Sequence, residues 1–544
     1  MSAQLQHDRR RHRRLPGTLG QRLCAALAAA LTLASAPAMA QPAEPAAVAL
    51  PAAPTAPTAD AGKGTAVIGL GIGGYASGQR TTAFAVDSQG GRSSSDPTLS
   101  SRLRAHLDAR VASPGDRWVL DAALGFDVVD GTVLGRTLAT LGDKLPDQRL
   151  ETMIPQDAWI GVHYGKTVGI KAGLMTSHWG MGLVANDGGA GRTVDRNDWF
   201  SLGRSGDRVA RVQVYAMPFA EDKDSPLRGW LVSASADSVI DDDTLTGANQ
   251  KANQYSFATK LYLDKQRWAG FYGAYRDQHQ DDGKTLKVGV LDGALDFDYR
   301  DAARNGMRLE AECAWITGDT TLSPTPDHPT HDIAQLGAMG RLSWAGVMPG
   351  MTLQLDGGYF SGDDNLDDGK LTAFHADRNV RQGLVLFERV LAWQTGRSRL
   401  QASNPNLVGK PAEDLDRLAS DGSIFNAATI FPKIGYRVTD HIEIYGGALF
   451  AFSPSRVYDP YNTRVYGGGY PRNYLNGDSG NSRVLGTEFD VGVRGQMHLP
   501  GPWRSMVQLA LEYGVLLPGA AIQGPDGNSD PVQATRLTLS LLGR

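Results

Sequence analysis

Four groups of residues in this 544-residue chain have types and spacings that chemistry uses. Arg102, Arg104 and Arg110 recur at even intervals with His106 and Asp108 between them, a comb of guanidinium groups suited to selecting anions. Gly69-Leu70-Gly71-Ile72-Gly73-Gly74 has the GxGxxG spacing that cradles a dinucleotide pyrophosphate. His328 and His331 flank Pro329-Thr330 as a pair of metal ligands would. Asp363-Asp364-Asn365-Leu366-Asp367-Asp368-Gly369 opens like a calcium loop.

Three of the four lack the element their chemistry requires. A dinucleotide site needs its glycines to open a helix, and Tyr75-Ala76-Ser77-Gly78-Gln79 has no helical period. Pro329 prevents the helical spacing that would put both histidines on one face. The calcium loop lacks its closing acid, because residue 374 is Phe. No cofactor and no metal are therefore expected. No Gly-x-Ser-x-Gly elbow or anchored Ser/His/Asp set is present, so no enzyme is expected either.

The arginine comb has a clear support. Leu103, Ala105, Leu107, Ala109 and Val111 alternate with Arg102, Arg104, His106, Asp108 and Arg110, so a strand here has one apolar and one charged face. The same period recurs along the chain. Trp118, Leu120, Ala122, Leu124 and Phe126 share a face, as do Met307, Leu309, Ala311, Cys313 and Trp315. Leu485, Thr487, Phe489, Val491 and Val493 repeat it near the end.

Connections alternate between short turns, such as Gly165-Lys166 and Thr439-Asp440-His441, and long stretches, such as 176–206 and 453–483. Candidate strands begin near 64, 99, 117, 156, 167, 207, 227, 253, 267, 284, 305, 332, 350, 427, 441, 484, 503 and 533. The pattern predicts an all-β fold, a transmembrane antiparallel β-barrel of about 18 strands. The parity requires 363–425 to be one excursion, external or folded into the lumen, with Leu384-Val385-Leu386-Phe387 outside the wall. Trp118, Tyr164, Trp230, Tyr255, Trp268, Tyr359 and Trp503 fall near strand ends, where interfacial girdles sit.

Residues 1–40 read as a cleaved signal peptide: five arginines between Arg9 and Arg14, an apolar run from Leu23 to Leu33, then Ala38-Met39-Ala40. An Ala/Pro-rich linker follows at 41–62, and 63–544 is the barrel. Removing the signal takes six arginines and one aspartate from 54 basic and 58 acidic residues, leaving a net charge of −9. That balance excludes a nucleic-acid partner. Cys313 would be the one cysteine left, so no intrachain disulfide framework is expected. The expected place is the outer membrane of a Gram-negative bacterium, against lipid and lipopolysaccharide.

Strand phase points Arg102, Arg104, Arg110, Lys171, Arg211, Arg308, Arg341, Lys433, Arg437 and Arg494 into the lumen, where rings of cations set selectivity. It also points Glu310, Glu312, Glu488 and Asp490 inward, along with Asp108, Asp121 and Asp127. A second reading is that opposite charges pair across strands and keep the wall wet.

Phe374 to Phe387, FHADRNVRQGLVLF, resembles a segment of the alginate-export family of outer-membrane porins. So do Leu485-Gly486-Thr487-Glu488-Phe489-Asp490 and the later Glu512-Tyr513-Gly514 and Pro518-Gly519. The resemblance implies an eighteen-stranded barrel passing an anionic polysaccharide, with periplasmic export machinery as a partner. The expected function is thus a passive conduit for a hydrophilic solute, with an exported polysaccharide favoured. The alternatives are a general diffusion porin for small nutrients, or a structural or adhesin barrel.

Overall fold

The computed structural model describes residues 64–542, apart from 87–90, 136–149, 189–198, 204–205, 243–249, 323, 325–326, 364, 366–367, 397–418, 458–472, 476–481, 501–504 and 524–529. The expected signal and linker, Trp503 and part of the acidic run at 363–369 lie outside the described residues.

Period-2 patterning becomes strand throughout. The first half runs β1 (Thr65–Thr81), β2 (Thr98–Ala112), β3 (Trp118–Leu134), β4 (Glu151–Tyr164), β5 (Val168–Met175), β6 (Arg208–Ala216), β7 (Trp230–Asp241), β8 (Lys251–Tyr262) and β9 (Arg267–His279). It continues as β10 (Thr285–Asp298), β11 (Gly306–Thr320), β12 (His331–Ala345) and β13 (Met351–Phe360). After the two-residue β14 (Lys370–Leu371) come β15 (Ala427–Arg437), β16 (Ile442–Phe452), β17 (Val484–His498), β18 (Met506–Pro518) and β19 (Val532–Leu542).

Sequential strands pair antiparallel, and β1 pairs with both β2 and β19, which closes the sheet. Closure leaves no strand edge to lipid, the condition a sheet must meet to cross a bilayer. β13 pairs directly with β15 from Met351↔Tyr436 to Phe360↔Ala427, so the chain between them is an excursion. β14 belongs to that excursion and pairs parallel with the start of β12. The wall is a closed antiparallel barrel of 18 strands.

The outward phase is apolar and exposed, with Ile68, Leu107, Val212, Phe257, Leu291 and Leu539 among its members. A continuous apolar exterior around a closed sheet is a lipid-facing surface, and the chain is an outer-membrane barrel. Trp118 and Tyr164 meet edge-on at 5.0 Å on this exterior near the short turns. Trp268 departs from the expected girdle. It shares the phase of Gly270 and Tyr272, points inward, and packs beside Trp179 at 5.7 Å. The alternation of Phe271 and Tyr275 with Tyr272 puts aromatics on both faces of β9, which hides its inward side in the sequence.

The turn end is built as its residues require. Pro114-Gly115-Asp116 closes β2 onto β3, with Gly115 at φ 70°, a conformation that costs glycine little. Two connections break the expected alternation of lengths. Residues 217–229 form a long link on the turn side, with Met217 N–H donating to Thr167 O at 2.7 Å, and residues 280–284 form a short one on the loop side. The long link between β1 and β2 keeps the alternation and carries Phe84 into the interior.

The apolar core sits inside the barrel. Phe374, Leu384, Leu386, Leu391 and Ile424 are fully or almost fully buried against wall residues Phe360, Phe431, Leu449 and Leu516. A helical turn at Leu386–Leu391 presents Leu386, Phe387, Val390 and Leu391 to this packing. Each such side chain removed from water contributes about 1.5–3 kcal/mol.

Candidate functional lumen

Among the described residues, two of the segments that fold into the barrel are each held by a wall carboxylate. Glu312 on β11 accepts the N–H of Met181 and, at 3.0 Å, that of Leu183. Glu488 on β17 accepts the N–H groups of Leu384, Val385 and Leu386, the last two at 2.8 Å. In both cases a glycine with positive φ precedes the donors, Gly180 at 54° and Gly383 at 75°. A side chain at either glycine would collide with the carboxylate. The bend aims consecutive N–H groups at one point, and a buried carboxylate there satisfies donors that would otherwise be stranded.

Glu512 on β18 is a third anchor, accepting Phe200 N–H at 3.1 Å and the Tyr445 hydroxyl at 2.9 Å. The segment after β5 therefore touches β11 through Met181 and Leu183 and the β16–β18 wall through Trp199 and Phe200. Asp377 N–H donates to Leu183 O at 3.0 Å and joins the two inward segments.

The predicted inward cations sit on the lumen phase of their strands. Arg104 pairs with Asp127 through two bonds of 2.6 and 3.0 Å, and Gln156 adds a third to that carboxylate at 2.7 Å. Arg102 forks onto Asp130 at 3.2 Å and reaches Gly203 O at 3.4 Å. Arg211 forks onto Asp237, with both bonds at 2.7 Å, and Arg308 onto Asp296 at 2.8 and 2.7 Å. Arg341 and Lys433 share Asp356, at 3.0 and 2.7 Å. Arg110 lies 3.6 Å from Asp121, which also meets His163 at 3.1 Å. Arg494 pairs with Glu443, and Arg437 is exposed at the turn end of β15.

The predicted acids divide into two uses. Glu310 lies 3.0 Å from Arg308 and neutralises it. Glu312 and Glu488 hold the inward segments, and Asp490 follows Glu488 on the same buried face. Sequence phase gave these four the same inward direction without separating the roles, because an anchor and a cross-strand partner look identical until the loop is in place.

Lys171 and Lys260 differ from the paired cations. Among the described residues neither has a carboxylate in ion-pair contact. Lys171 Nζ lies 4.4 Å from the Trp159 ring and 5.8 Å from Tyr215. Lys260 Nζ lies 4.6 Å from Trp179 and 4.0 Å from Trp268. Ring faces stabilise an ammonium while leaving its charge uncancelled. Lys260 was absent from the sequence-predicted set, although Lys260 and Tyr262 alternate with Phe257, Thr259 and Leu261. Arg536, bonded to Glu512 at 2.7 Å, was absent too, although Leu537 and Leu539 flank its phase.

The other chemical candidates take structural places. Gly69–Gly74 lies within β1. His331 opens β12 with its ring 6.2 Å from His328, and no group of three or more metal-ligating side chains occurs among the described residues. Asp363 turns back on its own loop, accepting Asn365 N–H at 3.0 Å and Thr372 N–H at 2.9 Å.

No family model matches the chain, and no curated protein matches it. Solved barrels do resemble it. OccK9 (OpdG) of Pseudomonas aeruginosa is 10% identical with a TM-score of 0.45, covering 88% of this chain and 98% of that one. OccAB1 of Acinetobacter baumannii is 8% identical with a TM-score of 0.43, covering 88% and 96%. OccK2 (OpdF) of P. aeruginosa, solved with glucuronate, is 11% identical with a TM-score of 0.43, covering 88% and 98%. The expected likeness to alginate-export porins is corrected, since the similar solved structures are Occ porins. The segment 374–387 that suggested it is an inward packing element, and its aromatic and aliphatic spacing is what burial against a barrel wall demands.

Proposed function

We propose that this chain is a passive outer-membrane channel for small hydrophilic solutes, with a bias towards anions. The observation that carries the proposal is the unequal fate of lumen charges. Glu312, Glu488 and Glu512 are committed to backbone donors or to Arg536, whereas Lys171 and Lys260 sit beside aromatic rings with no carboxylate in ion-pair contact among the described residues. In a narrow low-dielectric passage an unpaired cation raises the local concentration of anions, and paired ones contribute far less. Arg102, Arg104, Arg110, Arg211, Arg308, Arg341, Lys433, Arg437 and Arg494 line the same wall and supply a background field.

Two inward segments packed through the lumen also favour small solutes over a polymer. A polysaccharide chain needs a continuous bore along the whole axis, and buried side chains such as Leu384 and Phe374 occupy part of it. Reversal potentials in planar bilayers under a KCl gradient test the proposal. An anion-selective potential is expected, falling several-fold towards neutrality in the Lys171→Ala/Lys260→Ala double variant. Cation selectivity in the unaltered protein would refute the bias, and an absence of channels would favour the structural or adhesin barrel.

A further inference from the structure

The outer face of the barrel carries a cation, Arg80, where the exterior of β1 and β19 turns from polar to apolar. On the exterior phase at the long-loop end, the registers Tyr513↔Thr535 and Thr535↔Arg80 set a polar row across β18, β19 and β1. One step towards the turn end the row is Leu511, Leu537 and Gly78, and the next is Leu509, Leu539 and Ala76. While on β18 Val515 and Leu517 carry apolar surface past Tyr513, on β19 and β1 the exterior thus turns from polar to apolar between Thr535 and Leu537. That is the level where headgroups give way to acyl chains in the outer leaflet.

A groove of about 640 Å³ is cut into the wall at this boundary, bordered by Arg80, Ser95, Pro97, Tyr513, Gln533 and Leu537. Gly78 also borders it, and a Cβ there would meet nothing within 4 Å. Arg80 is fixed at the rim by donation from Nε to Ser95 O at 3.3 Å, and among the described residues it has no ion pair. The nearby carboxylate of Asp96 is turned to the Ser94 hydroxyl at 2.7 Å. A second guanidinium, that of Arg92, is held on the carbonyl of Ala83, another residue of the groove, at 2.7 Å. The Tyr513 hydroxyl donates to Gln533 Oε1 at 3.0 Å and closes the far side.

We infer that this groove is a binding site for a phosphorylated glycolipid of the outer leaflet, with a phosphate on Arg80 and an acyl chain running over Gly78 and Leu537. A guanidinium presents a planar fork that fits phosphate oxygens, and its charge at a membrane interface costs little when an anionic headgroup meets it. The apolar floor below supplies the second half of an amphipathic ligand's contact. The site lies on the exterior and is independent of what the lumen conducts.

The test uses the full protein in detergent, with purified lipopolysaccharide, dephosphorylated lipopolysaccharide and inorganic phosphate as separate probes. Native mass spectrometry and thermal unfolding read binding. One equivalent of lipopolysaccharide is expected to stay bound and raise the melting temperature. Arg80→Ala and Gly78→Trp should each weaken binding at least tenfold, and Arg80→Lys should fall between Arg80→Ala and the unaltered protein. Dephosphorylated lipopolysaccharide should bind the unaltered protein as weakly as the phosphorylated form binds Arg80→Ala. Heat-modifiable migration on gels verifies that each variant is a closed barrel. If Gly78→Trp fails to close, the two Arg80 variants decide. Binding undiminished in Arg80→Ala, or protection by inorganic phosphate equal to that by lipopolysaccharide, would overturn the inference.

Discussion

A Cβ on Gly383 would lie 2.7 Å from Oε1 of Glu488, closer than real Cβ atoms approach an oxygen. The absent side chain lets the carboxylate reach three successive backbone donors, and the 104 residues between Glu488 and Leu384 are joined at that point. Gly383→Ala should therefore loosen the inward segment without opening the wall. A left-handed alanine costs about 1–2 kcal/mol, and displacement of the carboxylate adds to it. Glu488→Ala, which leaves the same donors without a buried acceptor, should act in the same direction and more strongly. Protease cleavage within 376–395 and larger, noisier single-channel currents are the readouts. Unchanged cleavage in both variants would defeat the anchoring role.

The Arg104–Asp127 pair is buried inside the wall and doubly bonded. Removing one partner leaves an uncompensated charge, so Arg104→Met is expected to destabilise the barrel by roughly 3 kcal/mol. Gln156 and Arg102 retain contact with Asp127, which limits the loss. Arg104→Met/Asp127→Leu should recover most of that stability. A double-mutant cycle on urea unfolding in micelles measures the coupling, and additive losses would show that the two side chains do not act as a pair.

Strand positions and facing directions were legible because the exterior is selected by lipid, and that selection acts on every second residue. The expected starts at 427 and 484 coincide with Ala427 and Val484, and the expected inward phase of Arg102 through Arg110 is the one observed. The start near 156 was late because Pro155 sits inside β4, where a bulge opposite Gly125 and Phe126 accommodates it. What stayed hidden was every relationship that crosses the lumen. Nothing local distinguishes Glu488, an anchor for backbone donors, from Asp127, a partner for arginine, since the difference lies in a segment 104 residues away. The anchoring glycines Gly180 and Gly383 were equally silent in a chain with 65 glycines.

His375 gives the inward segment a pH dependence. It stacks on Phe425 at 5.0 Å with ring planes 10° apart, and desolvation inside the barrel holds its imidazole down at about 4 despite the opposing charge of Asp421, although its own side chain keeps an exposed face. The packed segment holds His375 neutral, whereas a released segment takes up its proton below about 6.5. The packing free energy is therefore full above about pH 6.5 and declines as pH falls towards 4, by less than a fully enclosed imidazole would lose because water reaches the ring. Channel currents should grow and become noisier over that interval. His375→Phe keeps the stack and cannot titrate, so its currents should be flatter with pH. An identical pH profile in that variant would assign the change to other groups.

Trp179 separates steric from electrostatic control of the passage. Its indole lies over Lys260 at 4.6 Å and meets Trp268 edge-on at 5.7 Å, while its own segment is fixed two residues later by Met181 on Glu312. Trp179→Ala removes bulk beside the ammonium and leaves both the charge and the anchor in place. Conductance should rise, roughly two-fold for a gap the size of an indole in a narrow lumen, and anion selectivity should persist because Lys260 remains on Trp268. Lys260→Met should do the reverse, lowering anion selectivity while conductance changes little in high salt, where screening over about 3 Å suppresses the field of a single charge. If Trp179→Ala abolishes selectivity with Lys260 intact, the rings rather than the ammonium discriminate between ions, and the electrostatic account of the lumen fails.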